Sequence, residues 1–395
     1  MPIGWHRLVA ASILGLGVLS PAVAQTLPLP GALTPHVAVR ADLPGGPRTP
    51  ATAVSATPPP GGVPLAEIVT PESIKDLTPA HWPESQTPVE MVQAAVPGHL
   101  NPIAMDEGGW TVNLEYLLLR PRRGAFDFAL NDPARDLITV GKLESLNYEL
   151  RTGVRAALGY RFGATMWDVT AEYTYFRSSA GRDLTAVPEG ALYPTLSRPG
   201  FIDEANFAHA DANIEYNVFD ALIGRRYMVD EHLGLRMFGG LRFATIRQTE
   251  TIQLDGIDAR ASYTQSKNSF DGFGPILGGE AVLAGWRGFH LYAKGSAGLL
   301  TGRTTNPYVE LNNLGGTVYA NIDYANRKVI PVAGIGLGGG WQYRQFSLRV
   351  GYEITNYFGL IDQPRLADDV SRGKIITQQA DLSLEGLFAQ LGFTF

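Results

Sequence analysis

The residues of this chain that could do chemistry are few in kind. Gly334, Gly336 and Gly339 have the G-x-G-x-x-G spacing that brings backbone N–H groups against a pyrophosphate. That use needs a helix after the glycines, whereas Trp341-Gln342-Tyr343-Arg344 and another alternating stretch follow here. The glycines therefore carry no nucleotide chemistry. His209 and Asp211 could form a His–carboxylate pair, with Asp127, Asp132 and Asp136 as further carboxylates, but their spacing does not require it and solvated carboxylates are the plainer reading. The seven histidines are otherwise scattered and there is no cysteine, which removes disulfides, zinc-thiolate sites and thiol nucleophiles. No catalytic, cofactor-binding or metal residue is assigned. What remains is a charged set: Arg155, Arg161, Arg236, Arg242, Lys294 and Arg349, with Asp168, Glu172, Glu215, Glu280 and Glu353.

Most of those charges alternate with apolar residues, which is how a β-strand with two unlike faces reads. Trp110, Val112, Leu114, Tyr116 and Leu118 oppose Thr111, Asn113 and Glu115. Val154 to Phe162 and Trp167 to Tyr175 repeat the pattern on either side of a tight Gly163-Ala164 turn. The rows continue through 233–243, 277–283, 289–299, 329–343, 346–354 and 387–395. One stretch lapses. Around Ile214, Tyr216 and Val218 the apolar row is even-numbered, and by Ala221, Ile223 and Tyr227 it is odd, so a bulge at 218–220 is expected to keep one face apolar. The count is ten strands.

The connections between strands alternate in length. Long ones fall at 121–145, 178–207, 250–270, 303–326 and 359–381, and short ones at 163–164, 228–232, 284–288 and around Arg344. Barrels of the outer membrane have short inner turns and long outer loops in this order, and a soluble sandwich has no reason to obey it. An even count also puts the two ends of the strand region on the same side. The expected fold is all-β, a transmembrane antiparallel up-and-down β-barrel over residues 108–395.

The front of the chain reads as an export address. Arg7 precedes the apolar run 8–19, and Ala22-Val23-Ala24 gives a small-x-small cleavage pattern before Gln25, so residues 1–24 are expected to be a signal peptide cut between Ala24 and Gln25. The run is shorter than the ~20 residues a spanning helix needs. Residues 25–107 hold sixteen of the 27 prolines and are expected to form a disordered periplasmic segment. It is either a plain linker or a spacer toward peptidoglycan or a periplasmic protein. At 45% apolar, 18% charged and net charge −6, the chain is too apolar to be wholly disordered and is no basic nucleic-acid binder.

Several motifs carry a resemblance. The run LFAQLGFTF, with Leu391, Phe393 and Phe395 on its apolar face, resembles the C-terminal signal by which outer-membrane barrels are recognised for assembly. WTVNLEYLLLRPR (110–122), LESLNYELRTGVRAALGYRF (143–162), GLRFATIRQT (240–249), FDGFGPILGGEAVL (270–283) and the following KGSAGLLTG resemble the pore-forming outer-membrane proteins typified by the Legionella major outer membrane protein. The resemblance implies a bacterial outer-membrane barrel that forms a pore, with lipid and the barrel-assembly machinery as partners. Cysteine cross-links found in that family are not carried over, since this chain has none.

The charged set would then line the lumen. Its near balance in sign reads as cross-strand ion pairs or, alternatively, an ion-selective constriction. Ten strands enclose little space. The glycine row from Gly334 to Gly340 either opens a passage along one wall or admits large neighbours. The function expected is passive passage of ions or small solutes, with a structural or adhesin-type surface barrel as alternative. A barrel enzyme is the second alternative, since outer-membrane proteases with ten strands carry a His–Asp pair where His209 and Asp211 stand.

Overall fold

The computed structural model describes residues 108–395 apart from 136, 137, 139, 314 and 315. The cleavage site at Ala24 and Gln25, the proline-rich segment and Asp136 lie outside the described residues. Ten strands form the wall: β1 (Gly109–Arg123), β2 (Arg151–Phe162), β3 (Trp167–Thr185), β4 (Phe207–Met228), β5 (Leu233–Gly256), β6 (Ala259–Ala284), β7 (Phe289–Thr305), β8 (Ala325–Tyr343), β9 (Phe346–Leu366) and β10 (Ile375–Thr394). Each pairs antiparallel with its sequence neighbour, and β10 pairs with β1, from Thr111 opposite Thr394 to Arg123 opposite Leu382. The ring is closed, so the wall has no free edge.

The alternation read from the sequence is the alternation of the wall. In β3, Trp167, Val169, Ala171, Tyr173 and Tyr175 point outward while Asp168, Thr170, Glu172 and Thr174 point inward. This nine-residue stretch, with five apolar residues on its outer face, matches the ~9–11 needed to cross hydrocarbon as a tilted strand. Aromatic side chains rim this belt. Phe219, Phe243 and Phe273 stand side by side on β4, β5 and β6 at 6.3 and 6.1 Å between ring centres. At the opposite rim Phe346, Phe393 and Phe395 cluster at 5.0 and 5.7 Å. Such girdles mark the two interfaces of a membrane barrel.

The turns at the second rim are short, as expected. Met166, Arg287 and Arg344 take left-handed backbone conformations there (φ 60, 55 and 55°), and Asp230 accepts N–H bonds from His232 and Leu233, both 2.7 Å. The outer side differs from expectation. Strands β5 and β6 are 24 and 26 residues long and stay paired until Gly256 and Ala259, so the anticipated 250–270 loop is mostly hairpin. These strands are more than twice what the belt requires.

Beyond the belt the polarity of the wall inverts. On β3 the outer face changes from Tyr175 to Arg177, on β5 from Phe243 to Thr245 and Arg247, on β6 from Phe273 to Asp271 and Lys267, and on β10 from Leu387 to Glu385. The inner face changes the other way. Phe176, Ile214, Ile246, Phe270, Leu300 and Tyr357 point inward and are buried in one apolar core. Water now lies outside and packed side chains inside, so the apolar residues move to the inner face.

The bulge expected at 218–220 does not occur. Strand β4 keeps an unbroken register with β3 and β5, from Phe207 to Arg225 and from Phe207 to Met228 respectively, and its even-numbered residues face inward throughout. Ile214, Tyr216 and Val218 belong to the inner core, so the shift in the apolar row marks the boundary of the membrane belt and not a change of register. Glu215 accordingly lies on the outer wall, where it accepts a bond from Asn217 (3.2 Å), and is not a lumen residue.

A small sheet of Asp127–Asp132, Lys142–Ser145 and Ala191–Pro194 packs on this outer core. Phe126, Phe128, Leu146 and Leu192 from the connections before β2 and β4 join the same apolar cluster.

Candidate functional site

Inside the belt the lumen holds a polar cavity of about 190 Å³. Its walls come from strands whose inward positions are charged or small, because the outward positions already supply the apolar belt. Arg155 of β2 lies at the centre of one group. It meets Glu115 at 2.6 Å, Glu353 at 2.7 Å and Glu172 at 3.5 Å, and its Nε donates to Thr174 at 3.1 Å. One guanidinium thus joins β1, β3 and β9 across the lumen. A second group has Arg236 bidentate on Asp168 (2.9 and 2.5 Å), with Arg226 at 3.6 Å from the same carboxylate. Arg242 is bidentate on Asp220 (2.8 and 2.7 Å), and Arg349 donates to Glu280 at 2.8 Å. Cross-strand ion pairs, with lipid outside and a narrow lumen inside, are geometrically specific and lower the desolvation of each partner.

Two expected lumen cations form no ion pair among the described residues, although Lys294 stands opposite Glu280 on the neighbouring strand. Lys294 rests over the Phe238 ring at 5.8 Å, and Arg161, with no ion pair, leaves its Nε without an acceptor. Both line the cavity. Three lumen residues were missing from the sequence reading of the charged set: Glu115, Asp220 and Arg226. Asp220 and Arg226 were lost to the supposed bulge. Carrying the period-2 row straight through Asp220, Leu222, Gly224 and Arg226 finds them.

The cavity ends where the polarity inverts. Tyr292 and Phe388 line it and also belong to the apolar core above, 6.0 Å apart between ring centres, and Arg349 lies over Tyr292 at 4.9 Å. Tyr216 and Tyr357 close the next layer through a 2.7 Å hydroxyl pair. The glycine row answers its two readings differently along its length. A Cβ on Gly338 would stand 2.9 Å from the Tyr292 ring and one on Gly340 2.4 Å from His290 Nε2, so these two admit large neighbours. Gly336 has no side-chain atom closer than 3.7 Å and borders the cavity.

The outer connections are fastened by buried polar contacts. Arg123 meets Glu250 at 3.0 Å with the two side chains 3% and 1% exposed, and Gln363 donates to the same carboxylate at 3.3 Å. Burial pushes the Glu250 carboxyl above its ordinary range against the pull of Arg123. Glu310 accepts the Arg198 N–H at 3.0 Å and lies 3.2 Å from the Tyr308 hydroxyl, which donates to the Leu196 carbonyl at 2.6 Å.

His209 stands on the outer wall of β4, beyond the belt. Its Nδ1 meets Asp183 at 2.5 Å and its Nε2 meets Asp211 at 2.6 Å. These bonds, Asp183 first, raise the imidazole pKa. Asp127 instead pairs with Arg365 (3.3 Å) and Asp132 accepts the Ala134 N–H (2.9 Å). Among the described residues these carboxylates are not gathered around His209, and no metal-ligating cluster is present. Leu391 and Phe393 on β10 and Phe395 directly after it face outward, and Phe395 exchanges backbone bonds of 2.8 and 3.0 Å with Trp110 on β1.

A closed ring of ten antiparallel strands with an apolar outer belt, aromatic girdles and a charged lumen is a transmembrane β-barrel of the outer-membrane type. The family described as Legionella pneumophila major outer membrane protein precursor matches residues 103–395, and the chain belongs to it. It is an outer-membrane protein. Among solved structures, the outer membrane protease OmpT from Escherichia coli is similar at 10% identity and a TM-score of 0.44, over 73% of this chain and 97% of that one. A TodX deltaS2S3 mutant monoaromatic hydrocarbon channel aligns at 12% identity, TM-score 0.26, over 75% and 93%. A Pseudomonas aeruginosa FadL homologue aligns at 9% identity, TM-score 0.22, over 75% and 93%. Scores this low carry no argument about activity. No curated protein matches the chain.

Proposed function

We propose that the barrel is a narrow pore for ions or small hydrophilic solutes, held closed at its outer end in the conformation described. The observation that carries this reading is the polar cavity inside the belt, where Arg161 forms no ion pair among the described residues and its Nε has no acceptor. A charge left unpaired in a dry core is expensive, so a lumen that keeps such groups is one that holds water or ions. Passage requires the outer core to part.

The test is conductance of the purified barrel in a planar bilayer. Small, infrequent steps are expected from the native protein. Replacing Phe128 and Leu192, both fully buried in the outer core, by Ala should make the steps more frequent or larger, since each change opens a cavity in the closing layer. A second reading has its own observation. The apolar packing of the outer half is what a structural or surface barrel without transport would keep. Silence from both the native and the loosened protein, each folded by heat modifiability, would select it.

A further inference from the structure

The lumen charges are nearly balanced in number but not in place. Around Arg155 three carboxylates, Glu115, Glu172 and Glu353, share one guanidinium. Nearer the short turns the imbalance is reversed. Arg161 lies opposite Asp168, and Arg226 lies directly opposite Arg236 on the neighbouring strand. Like charges in that position repel unless something negative lies between them. Asp168 is the carboxylate they share, and Arg236 occupies it with two bonds. Arg226 reaches it only at 3.6 Å, and Arg161 forms no ion pair among the described residues. The Nε groups of both Arg161 and Arg226 are shielded and without acceptors. Arg161 pairs with Gly109 at the foot of β1, while Arg155 pairs with Glu115 six residues along, so the cationic group lies at the inner mouth and the anionic group deeper.

We propose that the inner mouth of the lumen is a binding site for a small oxyanion, of the phosphate or carboxylate class, held between Arg161 and Arg226. Two guanidinium groups lining one polar cavity, of which Arg161 forms no ion pair among the described residues and Arg226 only a long one, fit the bidentate recognition of such ions. The cavity, at about 190 Å³, has room for a phosphate or a short dicarboxylate. The site needs no passage across the barrel and does not depend on conduction.

The test is isothermal titration calorimetry of the folded barrel in maltoside micelles, which carry no phosphate, with inorganic phosphate in a chloride-free buffer. Saturable binding is expected, with succinate competing for the same site. Changing Arg161 and Arg226 together to Gln should weaken phosphate by about tenfold or more, as loss of charge-assisted bonds would. Arg247→Gln, on the outer wall beyond the belt, should leave it unchanged. Arg161→Gln alone removes no ion pair, so it should fold and still weaken binding if the double change does not fold. No saturation with the native barrel, or equal binding by the Arg161 variant, overturns the site. Competition by a phosphocholine detergent as strong as by free phosphate also overturns it, by moving the ion to the micelle surface.

Discussion

The inner and outer halves of the barrel are made by the same ten strands and pack in opposite senses. Within the belt Val169 faces lipid and Thr170 faces a charged lumen. A few residues further along the same wall Ile246 is fully buried in the packed outer core and Arg247 is exposed. Strand geometry is the same in the two halves of β4, which keeps one continuous register with β3 and β5, and only β9 and β10 slip at the junction, between Tyr357 and Ile361. What differs is where water is. The period of two is set by the backbone, whereas which of its two phases is apolar is set by the surroundings.

The comparison can be broken most forcefully in the outer core. Ile246→Arg places an unpaired charge at a fully buried position and should destabilise by about 4 kcal/mol or more, read as loss of the heat-modifiable form. The neighbouring Arg247→Ile should fold. A tolerated Ile246→Arg would mean that the outer core is wet. In the belt the sign reverses: Val169→Arg should cost ~2–4 kcal/mol in lipid and Thr170→Arg far less. Equal effects in urea unfolding from vesicles would mean that the faces have been mistaken. At the junction of the halves, Tyr357→Phe deletes the hydroxyl pair with buried Tyr216 and should cost about 1 kcal/mol by the same measurement.

The smallest effect is on the outer wall. The pKa of His209 is raised in the folded state, so its contribution is complete below its unfolded value of about 6.5 and fades as pH climbs through the higher folded value. With the ring about a third exposed, the effect should stay well under ~1 kcal/mol. Stability should therefore decline slightly between pH 6 and 8, and His209→Asn should flatten that decline. A rise over this interval would show that the imidazole is not held by Asp183 and Asp211.

The inner half was legible in the sequence because one face of each strand there is apolar from end to end. All ten strands, the short turns and the facing of Arg155, Asp168, Glu172, Arg236, Arg242, Glu280, Lys294, Arg349 and Glu353 follow from that rule. The outer half defeated it. Once Ile214, Tyr216 and Val218 were required to share a side with Ala221 and Ile223, a bulge became necessary, Glu215 was placed inward, and Asp220 and Arg226 disappeared from the lumen. The same requirement turned the outer parts of β5 and β6 into a loop. Neither the groups that Arg155 and Asp168 gather nor the unpartnered state of Arg161 could be read, because they depend on which strands lie across the lumen and not on spacing along the chain.

The junction of β1 with β10 bears on how the barrel comes to exist. It joins segments roughly 280 residues apart, while every other seam in the wall joins neighbours along the chain. Nine hairpin contacts can form locally at small entropic cost, but the tenth must wait for all of them. Until then Trp110 and Phe395 terminate two open edges, each with unpaired backbone groups that hydrocarbon does not tolerate. Closure is thus the step at which a curled sheet becomes a membrane protein, and the aromatic cluster of Phe346, Phe393 and Phe395 is already in place on one edge to meet the interface when it happens. A catalyst of insertion would act with most leverage by holding that single pair of edges apart until the rest of the wall is ready.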